Sequence, residues 1–359
     1  MTINQRHFLA FIRYALMGGD YPHGLLTESS WKEQQAIAKR QTVSGIFFNA
    51  LSKLPPALRP PQQILMKLYS YVVYYENMNK MLNERTCEIF DIYHKLGFHP
   101  VLLKGQGAAT LYKNPGLRVF GDIDIYVPDG GQKLMDWVKQ NADDIKEDPR
   151  RSHILAFSWQ GATIENHLCL LKFYNKRLFA NMQSIVADEL NPDADPAFVT
   201  INGQQIETLP PTLGLLYLIV HFSRHLISSG VGVRQLCDIT LHIHHFHQRI
   251  DTESIERWFD KLEMRRMANA VAAACVKYLG LPDSEVPYDY KADEWGNKAD
   301  ELMQIIMDGG NSGYWQMLGK RQNIFHRAKL YLKQQFRIYP YMPHEVATEI
   351  WLKLIHRFK

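Results

Sequence analysis

Two acids, Asp122 and Asp124, stand two residues apart in the stretch GDIDIYV at 121–127. In a β-strand alternate side chains share a face, so Ile123, Ile125 and Val127 point one way and Asp122, Asp124 and Tyr126 the other. Same-face neighbours sit about 6.5–7 Å apart along a strand. Carboxylates at that spacing can lean together on a divalent ion, or on two ions about 3.5–4 Å apart. An ordinary amphipathic strand with a wet outer face has the same pattern. The strand alone leaves both readings open, and its neighbours must decide.

Three neighbours add chemistry. Lys104-Gly105 follows the apolar run PVLL and precedes a short helical pattern, GQGAATLY. A helix start after a glycine turn offers free N–H groups to an anion, and Gly105 and Gly107 let a phosphate approach the backbone. A loose glycine turn at a strand end is the plainer reading, and the GxxxxGK[ST] phosphate loop is absent. A third acid, Glu165, lies in ATIENHLCL, where Thr163, Glu165 and His167 share one face. If that strand lies beside GDIDIYV, three carboxylates converge. Such a cluster raises its own pKa values unless cations neutralise it, and oxygen-only ligation favours Mg²⁺.

The elements that must hold these groups are legible in outline. Residues 1–95 read as helical, with apolar residues at three- and four-residue spacing, Ser29 or Ser30 as a cap, and a proline-rich hinge LPPALRPP before one long helix that ends at Gly97. Residues 96–209 alternate short strands with helices. SHILAFSW and ATIENHLCL form one hairpin around QG, and AFVTI and QQIETL another around Asn202-Gly203. A strand–helix–strand start followed by antiparallel strands predicts a small mixed sheet with helices on one side. From Pro210-Pro211 to residue 359 the pattern is helical again, entered through proline and broken at Gly230. The fold class expected is therefore α+β.

Bulk properties narrow the field. The 359 residues carry a formal charge of +4, with 46% hydrophobic and 22% charged residues, an ordinary globular composition. A mildly basic chain of this kind does not by itself indicate nucleic acid. No apolar run reaches the roughly 18 residues of a membrane span, and no secretory leader is apparent. Cys87, Cys169, Cys237 and Cys275 are scattered without a CxxC pair and read as reduced thiols of a cytoplasmic protein.

Other candidates have bland readings beside them. His221 and His225 in HFSRH share a helix face at metal-like spacing, but the zincin glutamate is missing, so packing or substrate contact is the simpler role. His242, His244, His245 and His247 spread over more than one helix face and form no tight cluster. His167 is better placed, on the face of Glu165. The basic aromatic tail, with Arg327, Lys329, Lys333, Arg337, Arg357 and Lys359, is interrupted by Glu345 and Glu349; solvated helix faces explain it as well as nucleic acid does.

The stretch LLKGQGAATLYKNPGLRVFGDIDIYV resembles the nucleotidyltransferase fold of the DNA polymerase beta superfamily. More narrowly it is similar to the bacterial family of uncharacterised nucleotidyltransferases, with an LKG turn, Tyr112, Arg118, a D-x-D strand and Glu165. The later LPPTLGLLYLIVHFSRH and VRQLCDI extend the likeness over roughly residues 95–260. The resemblance implies a nucleotidyltransferase core at 96–209 between helical regions at 1–95 and 210–359. It implies Asp122, Asp124 and Glu165 as catalytic metal ligands for Mg²⁺, and Lys104, Gly105, Gln106 and Arg118 as nucleotide contacts. His167, His221, Arg234 and Asp238 would line a substrate cleft. Gln106 stands where the wider superfamily has serine, which puts the detail of the phosphate grip in doubt. The implied activity moves a nucleoside monophosphate, AMP in the simplest case, from a triphosphate such as ATP to a hydroxyl of a small molecule or protein. A non-catalytic nucleotide-binding regulator on the same fold is the alternative, and transfer to a nucleic-acid end a weaker third.

Overall fold

The computed structural model describes residues 1–22, 28–119, 121–147, 153–191, 193–311 and 324–357. The N-terminal helices are α1 (Ile3–Met17), α2 (Glu28–Arg40), α3 (Ser44–Ser52) and α4 (Gln62–Lys95). At the start of α1 the Thr2 hydroxyl accepts from Gln5 N and the Gln5 side chain accepts from Thr2 N, a reciprocal cap. Ser29 and Ser30, expected to cap α2, lie inside its first turn. The long helix α4 ends as its sequence demands, with Gly97 at φ +78°.

Seven strands form one mixed sheet: β1 (Val101–Leu102), β2 (Ile123–Tyr126), β3 (Asp144–Glu147), β4 (Ile154–Trp159), β5 (Ala162–His167), β6 (Ala197–Ile201) and β7 (Gln204–Thr208). Their order is β3-β4-β5-β2-β1-β7-β6. β2 runs parallel to β5, and β1 parallel to β7; the other neighbours are antiparallel. Both expected hairpins form. Their two-residue turns, Gln160-Gly161 and Asn202-Gly203, have positive φ throughout, the conformation that matches right-handed strand twist. β3 is exposed at every position and carries no apolar alternation, so its sequence gave no strand signal; pairing with β4 creates it.

Short α5 (Gln106–Ala109) follows β1, α6 (Gly131–Asn141) follows β2, and α7 (Lys176–Glu189) follows β5. After β7 come α8 (Pro211–Ser228), α9 (Val233–Phe246), α10 (Thr252–Lys261), α11 (Arg265–Ala274), α12 (Ala292–Gly309), α13 (Ile324–Ile338) and α14 (Pro343–Arg357). One face of the sheet packs under α4 and α6 through Leu102, Ile123, Ile125, Phe157 and Ile164. The other face looks toward the C-terminal helices, and Val101, Leu103 and Tyr126 join their core.

That second core is continuous from one end of the chain to the other: Phe8, Phe47 and Leu51 belong to it with Phe222, Ile239, Met303 and Val346. Gln41 shows how the ends are stitched. Fully buried, it accepts from Val233 N at 2.9 Å and donates to Ile306 O at 3.1 Å, so a residue of the N-terminal helices caps α9 and ties it to α12. The four cysteines are free, two buried and two half-buried. No described helix is long and apolar enough to cross a membrane.

Candidate functional site

The site begins with register. In the parallel pairing of β2 and β5, Asp124 stands directly opposite Glu165 and Tyr126 opposite His167, so their side chains share the face turned to the C-terminal helices. Asn166, one residue out of phase, points through the sheet and donates to Tyr93 Oη at 2.7 Å. The alternation that looked ambiguous in GDIDIYV thus has an apolar face in the sheet core and an acidic face in a cleft.

Asp124 is fully buried, and each of its oxygens has a neighbour. Lys104 Nζ lies 2.5 Å from its Oδ2, and His167 Nε2 lies 3.2 Å from its Oδ1. Burial alone would push this carboxyl up, but the Lys104 ammonium and the His167 contact overcome it and hold the group well below the usual carboxylate range. Lys104 answers in kind: burial disfavours its charge, yet Asp124 and Asp122 keep its pKa above the ordinary lysine value. Glu165 has no such partner among the described residues. Burial, then the charges of Asp124 and Asp122, raise it to about 7. The cluster therefore holds more negative charge than one ammonium relieves, which is the condition under which a further cation binds.

Donor atoms of Asp124, Glu165 and His167 all lie within 4.8 Å of one another. Asp122 stands outside this group and lines the cleft beside it. Its carbonyl accepts from Gln106 Nε2 at 3.1 Å, so Gln106, almost wholly buried, braces the loop that carries Asp122. Gly105 has φ +63°, a conformation that disfavours any side chain. The helix it opens, α5, is a single turn, so the anion site expected there has few N–H groups and little dipole behind it.

The far wall is built on α8 and α9. The cleft, about 190 Å³, is lined from the sheet side by Lys104, Gly105, Asp122 and Asp124 and from the helices by Leu218, His221, His225, Ser229, Arg234, Gln235 and Asp238, with Asn311 and Arg118. Arg118 is committed to this wall. Its Nε and Nη2 donate to the two carboxylate oxygens of Asp238 at 2.7 and 2.6 Å, and Tyr112 Oη donates to Oδ1 at 2.7 Å. Asp238 thus holds the loop between α5 and β2 against α9. From the other side Asn79 of α4 donates to the carbonyls of Gly116 and Arg118 at 2.7 and 2.9 Å. Arg234 donates to Val119 O, and burial followed by the neighbouring Arg118 charge lowers its pKa.

His221 and His225 sit one turn apart with ring centroids 4.4 Å apart, and His221 stacks on Tyr217. Burial pushes both imidazoles toward the neutral form, His225 to about 4 and His221 well below the usual histidine value. Zinc-like spacing here yields an edge-to-face imidazole pair held toward the neutral form. The later histidines spend themselves elsewhere: His242 pairs with the Pro211 carbonyl, His244 with Glu285, and His245 and His247 with backbone carbonyls one turn back.

The basic tail divides as well. Lys329 and Lys333 are exposed and Arg337 pairs with Asp308, whereas Glu345 and Glu349 are buried, Glu345 accepting from Tyr174 N and Asn175 N. Lys359 and the side chains of Arg327 and Arg357 lie outside the described residues.

Leu218, Ser229, Gln235 and Asn311 gave no sequence signal as cleft residues. They are ordinary helix and helix-end residues until α8, α9 and the end of α12 come together.

The arrangement sets an acidic cluster able to hold a divalent ion against one polar cleft through Asp124, and three cationic side chains and an imidazole pair line that cleft. A solved structure titled an antigenic nucleotidyltransferase-like protein from Paracoccidioides brasiliensis is similar at 13% identity, over 54% of this chain and 88% of that one. Its TM-score of 0.30 is too low to carry argument. Comparison with curated proteins found no match. The family described as uncharacterised nucleotidyltransferase matches residues 27–280, which include every cleft residue named above except Asn311, and the chain belongs to that family.

Proposed function

We propose that the chain transfers a nucleotidyl group, AMP from ATP in the simplest case, to a hydroxyl of a small molecule or protein side chain. The observation that carries this reading is the register of β2 on β5, which sets Glu165 against Asp124, itself a lining residue of the cleft together with Asp122 and Lys104. A divalent ion held by Asp124 and Glu165 would supply neutralisation of charge developing on the phosphoryl oxygens; Mg²⁺ is the ion that oxygen donors alone select. Lys104 and Arg234 are the cleft cations placed to hold the phosphates. Arg118, expected as a nucleotide contact, fits better as the strut on Asp238.

The acceptor oxygen forms a bond to the α-phosphorus as the bond to the pyrophosphate oxygen breaks. With Glu165 spent on the ion, His221 and His225 are the imidazoles of the cleft left to take the hydroxyl proton. The cleft volume is below the roughly 300–1,000 Å³ of pockets that enclose a drug-sized ligand, so the polyphosphate end fits and the base extends outward.

The test is release of pyrophosphate from ATP with a panel of hydroxyl acceptors, comparing the wild type with Asp124→Asn. Loss of one preorganised electrostatic group costs about 10²–10³ in rate, and the variant is expected to fall at least that far. Transfer that survives Asp124→Asn sinks the assignment. Nucleotide binding without turnover over any acceptor would instead favour the regulatory alternative.

A further inference from the structure

We propose that the ion taken by this site is a divalent first-row transition ion, with His167 as a nitrogen ligand, in place of Mg²⁺. The inference rests on the cleft being metal-dependent, as the proposed function requires, and names the ion.

Geometry comes first. Two ligands about 2.1 Å from an octahedral ion lie about 3.0 Å apart when adjacent and about 4.2 Å when opposite. His167 Nε2 is 3.2 Å from Asp124 Oδ1, and the donor atoms of Asp124, Glu165 and His167 stay within 4.8 Å of one another. One ion fits those three groups with little movement. Asp122, the oxygen donor that would complete an all-carboxylate set, stands outside the group, and Asn166 is on the opposite face. The third donor available is an imidazole.

Charge points the same way. Lys104 holds Oδ2 of Asp124, leaving that carboxylate one oxygen for an ion and offsetting one negative charge. A hard ion held through oxygen charge alone, as Mg²⁺ is, loses more by this than an ion that also bonds to nitrogen. His167 is 5% exposed, and its Nδ1 is buried without a hydrogen-bond partner among the described residues. No second bond at Nδ1 holds the ring against the small shift that would bring Nε2 onto an ion shared with Asp124 Oδ1. Among first-row ions Mn²⁺ stands lowest in the affinity order. It is therefore the strictest probe of the preference.

The experiment titrates Mn²⁺ into the metal-stripped full chain and follows loss of the free aquo-ion signal by electron paramagnetic resonance. Spin-echo modulation then reports any nitrogen bound to the ion. The expected result is one Mn²⁺ per chain, an imidazole ¹⁴N coupling, and displacement by Mg²⁺ only at more than about tenfold excess, in keeping with the ligand preference. His167→Ala abolishes the coupling and weakens Mn²⁺ binding by at least the roughly 10–100-fold that loss of even an outer partner costs. His167→Gln, which keeps much of the volume, loses the coupling too.

Bound Mn²⁺ without nitrogen coupling in the wild type overturns the proposal with no variant needed. So does Mg²⁺ competing at equal concentration. Mn²⁺ ligated by nitrogen in a chain that transfers no nucleotide would overturn the functional reading and uphold this one. Mg²⁺-supported transfer without nitrogen ligation would do the reverse.

Discussion

Asp238→Asn separates a strut from a nucleotide ligand, because the two roles of Arg118 give opposite results in the ligand-free protein. Asp238 is 4% exposed and Arg118 3%, and the carboxylate accepts three hydrogen bonds of 2.6–2.7 Å from Arg118 and Tyr112. Asparagine keeps the shape, removes the charge and turns an NH₂ toward donors. A buried guanidinium left without its counter-ion costs about 3–5 kcal/mol. With a urea slope near 3 kcal/mol/M, the unfolding midpoint should fall by about 1–1.7 M.

Tyr112→Phe, which removes one hydrogen bond to a charged group, sets the scale at about 1.5–3 kcal/mol. Arg118→Met combined with Asp238→Leu should recover much of the loss, since apolar replacement of a buried pair is often neutral. Urea melts by fluorescence and circular dichroism, without nucleotide, read the wild type and every variant. A loss below about 1 kcal/mol in Asp238→Asn, against the range for a broken buried pair, would refute the strut. So would Arg118→Met if it left ligand-free stability intact and weakened ATP binding.

Three further outcomes follow from the same coordinates. Gly45→Ala would place a Cβ 2.4 Å from the Leu117 carbonyl oxygen, against backbone that cannot yield cheaply, and should cost about 1–3 kcal/mol in urea melts, as overpacking does. Asn79→Ala removes both side-chain bonds to the Gly116 and Arg118 carbonyls; proteolysis should become faster around residues 114–119 while the far helices keep their protection. The pH dependence follows from His242, held neutral by burial with a folded pKa of about 4 against 6.5 when exposed. Between those values the unfolded chain binds the extra proton. The contribution of His242 is therefore complete above pH 6.5 and lost as pH falls toward 4, with a slope of up to about 1.4 kcal/mol per pH unit. His242→Gln should flatten the acid limb of a stability-against-pH curve by one proton. Glu165, raised to about 7, acts in the opposite sense across part of that window, and saturating metal should remove its share.

Much of this protein was readable before any coordinates, because its signals are local. Proline entries, Gly97, the two hairpin dipeptides and the 3.6-residue patterns each act within a few residues, and each element they mark forms. Local alternation also put Asp124 on one face of its strand and Glu165 and His167 on one face of theirs. What no local pattern can state is which strand lies beside which. The parallel register of β2 on β5 depends on contacts 41 residues apart in the chain, and it alone converts two acidic faces into one cluster.

Tertiary contacts also decided the fates of residues that the sequence presented as alike. Arg118 and Lys104 both read as phosphate contacts. Asp238, 120 positions away, takes the first bidentately, whereas Asp124 accepts from the second, an ammonium with three donors that also lines the cleft. His221 and His242 are equally unremarkable on their helices, yet one meets the cleft and the other a proline carbonyl. β3 became a strand solely because β4 offered an edge. The sequence by itself determined the elements and their chemical faces, since those follow from backbone geometry over a few residues. The packed chain decided which faces meet, and with them the charge, the donors and the ion that this cleft can hold.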